Sequence, residues 1–137
     1  VATYAFTPSS VISAGAITLV AVAGENINAG DLVYQDATDS NKVKKSVNSS
    51  IAQSKTAGIC LNSAAAGQPV LYTTGIEVTV QPGTFASIGR LLVLSSTSGK
   101  CMDAADLVVG NYLTIIGWST AADKLRLSIM ASEKALT

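Results

Sequence analysis

The feature that most constrains this chain is that it is written twice. "GDLVYQDATDSNK" (residues 30–42) can be set without a gap over "GRLLVLSSTSGKC" (residues 89–101), placing Gly30 on Gly89, Leu32 on Leu91, Val33 on Leu92 and Thr38 on Thr97. The same offset of 59 residues puts Gly24 on Gly83, and Gly58 of "TAGICLNSAAAG" on Gly117 of "IIGWSTAAD". After each later glycine come a few residues, an alanine pair (Ala64 and Ala65, Ala121 and Ala122) and a further apolar segment, "PVLY" or "KLRL". The unit reads as turn, strand, polar turn, long loop, strand, alanine turn, strand, over about 24–80 and again over 83–131. Two copies are too few for a solenoid. The repeat therefore predicts a pseudo-two-fold barrel.

The segments between the turns have strand character. "AITLVAV", "DLVYQ", "AGICLN", "PVLYTTG", "IEVTVQ", "GRLLVLSS", "YLTIIGWS" and "KLRLSIM" are short, apolar and bounded by Gly, Asn, Asp and Ser, the pattern of a barrel or sandwich. Ile76, Val78 and Val80 alternate with Glu77, Thr79 and Gln81, and Leu125, Leu127 and Ile129 with Arg126 and Ser128, so these two strands are predicted to have one wet face. The expected fold is all-β, a small barrel or sandwich over residues 11–137. Residues 1–10, polar with interleaved aromatics and stiffened by Pro8, are predicted to form an extended N-terminal arm. At most one short helix is expected, in "SVNSSIAQSKTAG" (residues 46–58), with Val47, Ile51 and Ala52 on one face and Gly58 closing it; a plain loop is the alternative. Gly24, Gly30, Gly83 and Gly89 precede strands and form neither GxGxxG nor GxxxxGK[ST]. They are read as corner glycines supplying positive φ or tight bends, not as a phosphate cradle.

Composition narrows the chemistry. Nine basic and nine acidic residues balance, which argues against a nucleic-acid partner, since phosphate binding asks for a basic stripe. No apolar run approaches the ~20 residues of a membrane helix, so no membrane partner is expected, and "VATYAFTPSS" lacks the basic start of a signal peptide. The chain has no histidine, which removes Ser-His-Asp triads, Cys-His pairs and HExxH zinc sites. No enzyme activity and no cofactor are expected. Cys60 and Cys101 are read as buried free thiols rather than a disulfide. "DATDSNK" offers Asp36, Asp39 and Asn41 at calcium-loop spacing but lacks the Gly and distal Glu of an EF-hand, so a solvated hairpin turn is preferred and no metal site is assigned. Asp103 and Asp106 are the close carboxylate pair of the second half, equally able to cap a turn. Lys42, Lys44 and Lys45, with Lys55, form a basic cluster that either guards a strand edge or rims an acidic partner surface. Trp118, the one tryptophan, is read as a core or contact residue.

The order of these pieces resembles the small β-rich decoration, or cement, proteins of tailed-bacteriophage capsids. The resemblance rests on "AGENINAGDLVYQDATDSNKVKKS", "AGICLNSAAAGQPVLYTTG" and "GRLLVLSSTSGKCMDAADLVVGNYLTIIGWSTAADKLRLSI". It implies a β-tulip-like fold and a non-enzymatic protein on the outer surface of the virion. Such a protein is often a homotrimer near three-fold positions, and it clamps neighbouring major capsid proteins. Under that reading the expected contact residues are Tyr4, Phe6 and Pro8 of the arm, the Lys42, Lys44, Lys45 rim and Trp118. The alternative function is a receptor- or glycan-binding head fibre or adhesin domain.

Overall fold

A computed structural model of the chain describes residues 3–13 and 18–137. The described strands are β1 (Thr3–Tyr4), β2 (Ile12–Ser13), β3 (Thr18–Val22), β4 (Leu32–Asp36), β5 (Lys42–Lys45), β6 (Thr56–Cys60), β7 (Pro69–Thr73), β8 (Glu77–Thr79), β9 (Leu91–Leu94), β10 (Cys101–Asp103), β11 (Tyr112–Ala121) and β12 (Lys124–Ala135). The fold is all-β, and its single α-helix is the four-residue α1 (Ile51–Ser54) among the described residues. All eight segments read as strands contain one, although Ala16 and Ile17 of the first lie outside the described residues.

The repeat reappears in the pairing. One sheet runs β3-β7-β6-β4-β5; the other contains β8-β12-β11-β9-β10 in the same relative order, with β2 added at the β8 edge and β1 at the β10 edge. Leu32↔Ile59, Val33↔Gly58 and Tyr34↔Thr56 recur 59 residues on as Leu91↔Trp118, Leu92↔Gly117 and Val93↔Ile115, with the register shift at the same place. Gly30 N–H donates to the Cys60 carbonyl at 2.8 Å and Gly89 N–H to that of Ser119 at 2.6 Å. Gly30, Gly83 and Gly89 have φ of 92°, 78° and 79°, while Gly24 is not left-handed and lies close against the Lys44 stem. The units differ in their connections: residues 61–68 join β6 to β7, whereas only Ala122 and Asp123 join β11 to β12, and α1 lies between β5 and β6 where a 3-10 turn, Ala104–Asp106, follows β10.

The first unit closes on itself. After β3 the chain returns to β5, where Ala23 bridges Val43 and Gly24 N–H reaches the Val43 carbonyl at 2.8 Å. Its interior is Ala23, Ile27, Val33, Val43, Cys60, Val70 and Tyr72. The second unit stays open, a half-barrel whose inner face carries Val78, Leu92, Leu94, Cys101, Ile116, Leu125 and Leu127. Leu32 and Ile59, on the outside of the first unit, fill that face and are wholly buried. One unit thus plugs the other.

From Thr3 onward the N-terminal segment is packed and completes the plug, which corrects the expectation of an extended arm over residues 1–10; Val1 and Ala2 lie outside the described residues. β1 pairs with β10 at one edge of the larger sheet, and β2 pairs with β8 at the other. Between them the chain makes a single 3-10 turn, Pro8–Ser10, and buries Phe6 and Val11 in the main core. Phe85 receives both arm aromatics, Phe6 edge-on at 6.3 Å and Tyr4 tilted at 5.3 Å between ring centroids. In a chain with so few aromatics, three of the rings meet here against the main core; burying Phe6 alone is worth about 1.5–3 kcal/mol. The segment is a clasp.

Other differences are local. Ile76 is exposed while Val78 and Val80 are buried, because the strand begins only at Glu77. β5 and β10, the return strands of two hairpins, were not anticipated. The helix spans four residues of the thirteen allowed for it, capped by the Ser50 hydroxyl accepting from Gln53 N–H at 3.3 Å, an S-x-x-Q start. Its Ile51 and Ala52 face solvent, and Gly58 lies within β6 instead of ending it.

Candidate interaction surface

The lysine cluster lies along β5, and its charge is neutralised within the chain. Lys44 Nζ binds Asp36 at 2.8 Å and Asp39 at 3.2 Å, Lys42 lies 3.7 Å from Asp39, and Lys45 lies 3.9 Å from Glu25. The Lys44 ammonium, with the Thr38 hydroxyl and N–H, pulls the Asp36 carboxyl down to about 2. Lys44 is raised in turn by Asp36 and Asp39. The carboxylates of "DATDSNK" therefore hold lysine rather than standing open, and the turn and the basic cluster form one network. Lys55 pairs with Glu133 across to β12 at 2.6 Å.

The arm residues separate from one another. Phe6 is 6% exposed and belongs to the core, so it offers nothing to a partner in this conformation. Pro8 is exposed in its turn. Tyr4 is half-buried and donates its hydroxyl to Asp103 Oδ1 at 3.0 Å, while Arg90 binds Oδ2 of the same carboxylate. Partial burial and then Asp103 raise the Tyr4 phenol, which stays a neutral donor. Asp103 is thereby engaged in tying β1 to β10, and it is not paired with Asp106.

Trp118 lies on the outer face of the larger sheet, in a row that crosses four strands. Leu91 on β9 sits opposite Trp118 on β11, Trp118 opposite Arg126 on β12, and Arg126 opposite Glu77 on β8. The Arg126 guanidinium carbon is 5.8 Å from the indole centroid, a cation–π contact. Beside Leu91 is a shallow hollow of about 250 Å³ lined by Arg90, Leu91, Asp103, Ala104 and Ala105. The repeat gives this row its meaning. Leu32 and Ile59 hold the equivalent positions in the first unit and are 0% exposed, yet Leu91 is 44% and Trp118 37% exposed. The second unit covers the first, and nothing described in this chain covers the second. Tryptophan, arginine and an apolar neighbour beside a hollow is the composition of a protein-contact centre. Leu91 and Arg126 were missed from sequence. The alignment does set Leu91 on Leu32 and Trp118 on Ile59, but alignment cannot tell which unit is covered.

The two thiols are free and buried, Cys60 inside the first unit and Cys101 in the main core. Burial pushes each up to about 12, so both are held as neutral thiols near neutral pH. Gly58 and Gly117 sit at the two register shifts, where the neighbouring strand passes too close for any side chain. No family model and no curated protein matches the chain.

Proposed function

We propose that the protein is a structural component of a tailed-phage virion, bound to the outside of the icosahedral head, where it cements neighbouring major capsid proteins. The observation that carries this reading is the uncovered Leu91–Trp118 pair, at positions the first unit keeps fully buried. A cement needs such a contact and no chemistry. The chain's charges suit it as well, since the lysine rim and its carboxylates satisfy one another. The sequence resemblance supplies the identity of the partner. Many individually modest contacts on one shell would add through multivalency. A glycan-binding head fibre would instead stack a sugar on an open aromatic face, and at Trp118 Arg126 already lies over the ring.

The test is co-sedimentation with expanded, undecorated capsids of the cognate phage, counting copies bound per major capsid protein at saturation. The expected ratio is near one. The Trp118→Ala variant should bind about 30-fold more weakly, the factor that follows from losing ~2 kcal/mol at a contact centre. Binding of only a few copies per particle would overturn cementing in favour of a vertex fibre, and absence of binding would overturn the capsid reading altogether.

A further inference from the structure

Whatever covers Leu91 and Trp118 must also cover Arg126, and that fixes part of its chemistry. Seven of the nine basic side chains are ion-paired within the chain; among the described residues only Arg126 and Lys134 are not. Lys134 is exposed close to the last residue, whereas Arg126 lies inside the row that crosses the larger sheet. Its guanidinium sits over the Trp118 indole, and no described residue accepts a hydrogen bond from it. The other arginine, Arg90, is bound to Asp103. Glu77, opposite Arg126 on β8, forms no ion pair with it; the Glu77 carboxylate accepts from the Thr120 hydroxyl at 2.8 Å.

In the free chain Arg126 is exposed and water hydrates it. A partner lying over Trp118 displaces that water, and a covered guanidinium without acceptors is strongly unfavourable. The matching group is a carboxylate, which takes two parallel N–H donors of the planar fork while the indole holds the guanidinium face. A phosphate backbone would ask for several free cations, and this row presents one.

The hollow beside Leu91 supplies the second half of the match. Its charged walls, Arg90 and Asp103, neutralise each other, and the remainder is Leu91, Ala104 and Ala105. It therefore suits an uncharged, apolar side chain. Leu91 and Arg126 are two strands apart, about 10 Å, so one contact footprint covers both. We propose that the partner presents a carboxylate to Arg126 and, beside it, an apolar side chain to the hollow at Leu91. This rests on the capsid reading, in which that partner is the major capsid protein.

Co-sedimentation with expanded, undecorated capsids at several salt concentrations tests it. Arg126→Gln should bind about 30-fold more weakly than wild type at low salt and lose most of the wild-type salt dependence. Arg126→Lys, which keeps the charge, should fall between. Ala105→Trp, which fills the hollow from this side, should also weaken binding. Both positions are exposed, so circular dichroism and Tm should be unchanged in all three variants. With Arg126→Lys bound, a carbodiimide should join the amine at position 126 to an Asp or Glu of the major capsid protein as an amide, read by mass spectrometry. Arg126→Gln binding as tightly as wild type, or with the same salt dependence, would overturn the proposal even where Trp118→Ala still weakens binding and the capsid reading stands. Unchanged binding of Ala105→Trp, or a cross-link from position 126 only to another copy of this chain, would overturn it as well. A wild type that does not bind capsids would overturn both readings.

Discussion

Replacing Gly117 with alanine tests the geometry that the repeat imposes on both units. Gly117 sits between β9 and β12, opposite Leu92 on one side and Leu127 on the other, with φ of 155°. An added Cβ would fall on the Arg126 carbonyl oxygen, with the Arg126 carbonyl carbon at 2.9 Å and Leu127 Cα at 3.2 Å. All three atoms are backbone, so no rotamer change relieves the overlap; β11 and β12 must part. Overpacking costs about 1–3 kcal/mol, a backbone conformation that L residues rarely adopt about 1–3 kcal/mol more, and each ladder hydrogen bond lost about 0.5–1.5 kcal/mol. The total of roughly 3–5 kcal/mol is a large share of the ~5–15 kcal/mol that holds a domain of this size. Gly58→Ala meets the Thr73 carbonyl oxygen and Tyr72 Cδ2, the latter at 2.8 Å, but without positive φ. It should cost less, about 2–3 kcal/mol. Urea unfolding followed by the fluorescence of Trp118, with circular dichroism as a second probe, measures both. A Gly117→Ala variant within 1 kcal/mol or so of wild type, or one more stable than Gly58→Ala, would refute the reasoning.

Two further predictions concern titration and access. Asp36 is depressed from 3.8 to about 2 in the folded chain. The unfolded chain therefore binds the extra proton between those values, and the contribution of Asp36 is complete above pH 4 or so and lost as pH falls towards 2. Asp36→Asn should flatten the acid limb of a Tm–pH curve and converge with wild type near pH 2; parallel curves would contradict the Lys44–Asp36 pairing. With both thiols pushed up to about 12, only about one in ten thousand is thiolate at pH 8 or so. An aromatic disulfide reagent should then label Cys60 and Cys101 no faster than the chain opens, and rapid labelling of either in native protein would show that it is not buried.

Much of this fold was legible because a repeat is redundant information. Two weak strand patterns at one offset support each other, and the glycines at 30 and 89, or 58 and 117, mark equivalent turns and register shifts. The lost elements are those without redundancy or without apolar contrast. "KVKK" buries only Val43 and "CMD" is three residues long, so neither shows a periodicity that outweighs its polar neighbours. Tyr4 and Phe6 did carry a signal, two aromatics one residue apart in a polar stretch. That spacing puts both on one face of an extended segment, but it fits a projecting arm as well as a clasp. The pairing of Asp36 with Lys44 was within reach too, since a hairpin turn between them sets β4 against β5.

What no sequence pattern reveals is the asymmetry between the units. Once the first unit has closed on itself, its outer residues Leu32 and Ile59 are free to plug the second. The second unit cannot close in the same way with its mouth filled, so its edges pass to β1 and β2 and its remaining gap to Phe6 and Val11. Its own outer pair, Leu91 and Trp118, is covered by nothing among the described residues. Residues that are equivalent by descent from one pattern are thus inequivalent by position in the stack. The same argument fixes where to look for a partner: at the outer face of the second unit, where the apolar positions persist and no described residue covers them.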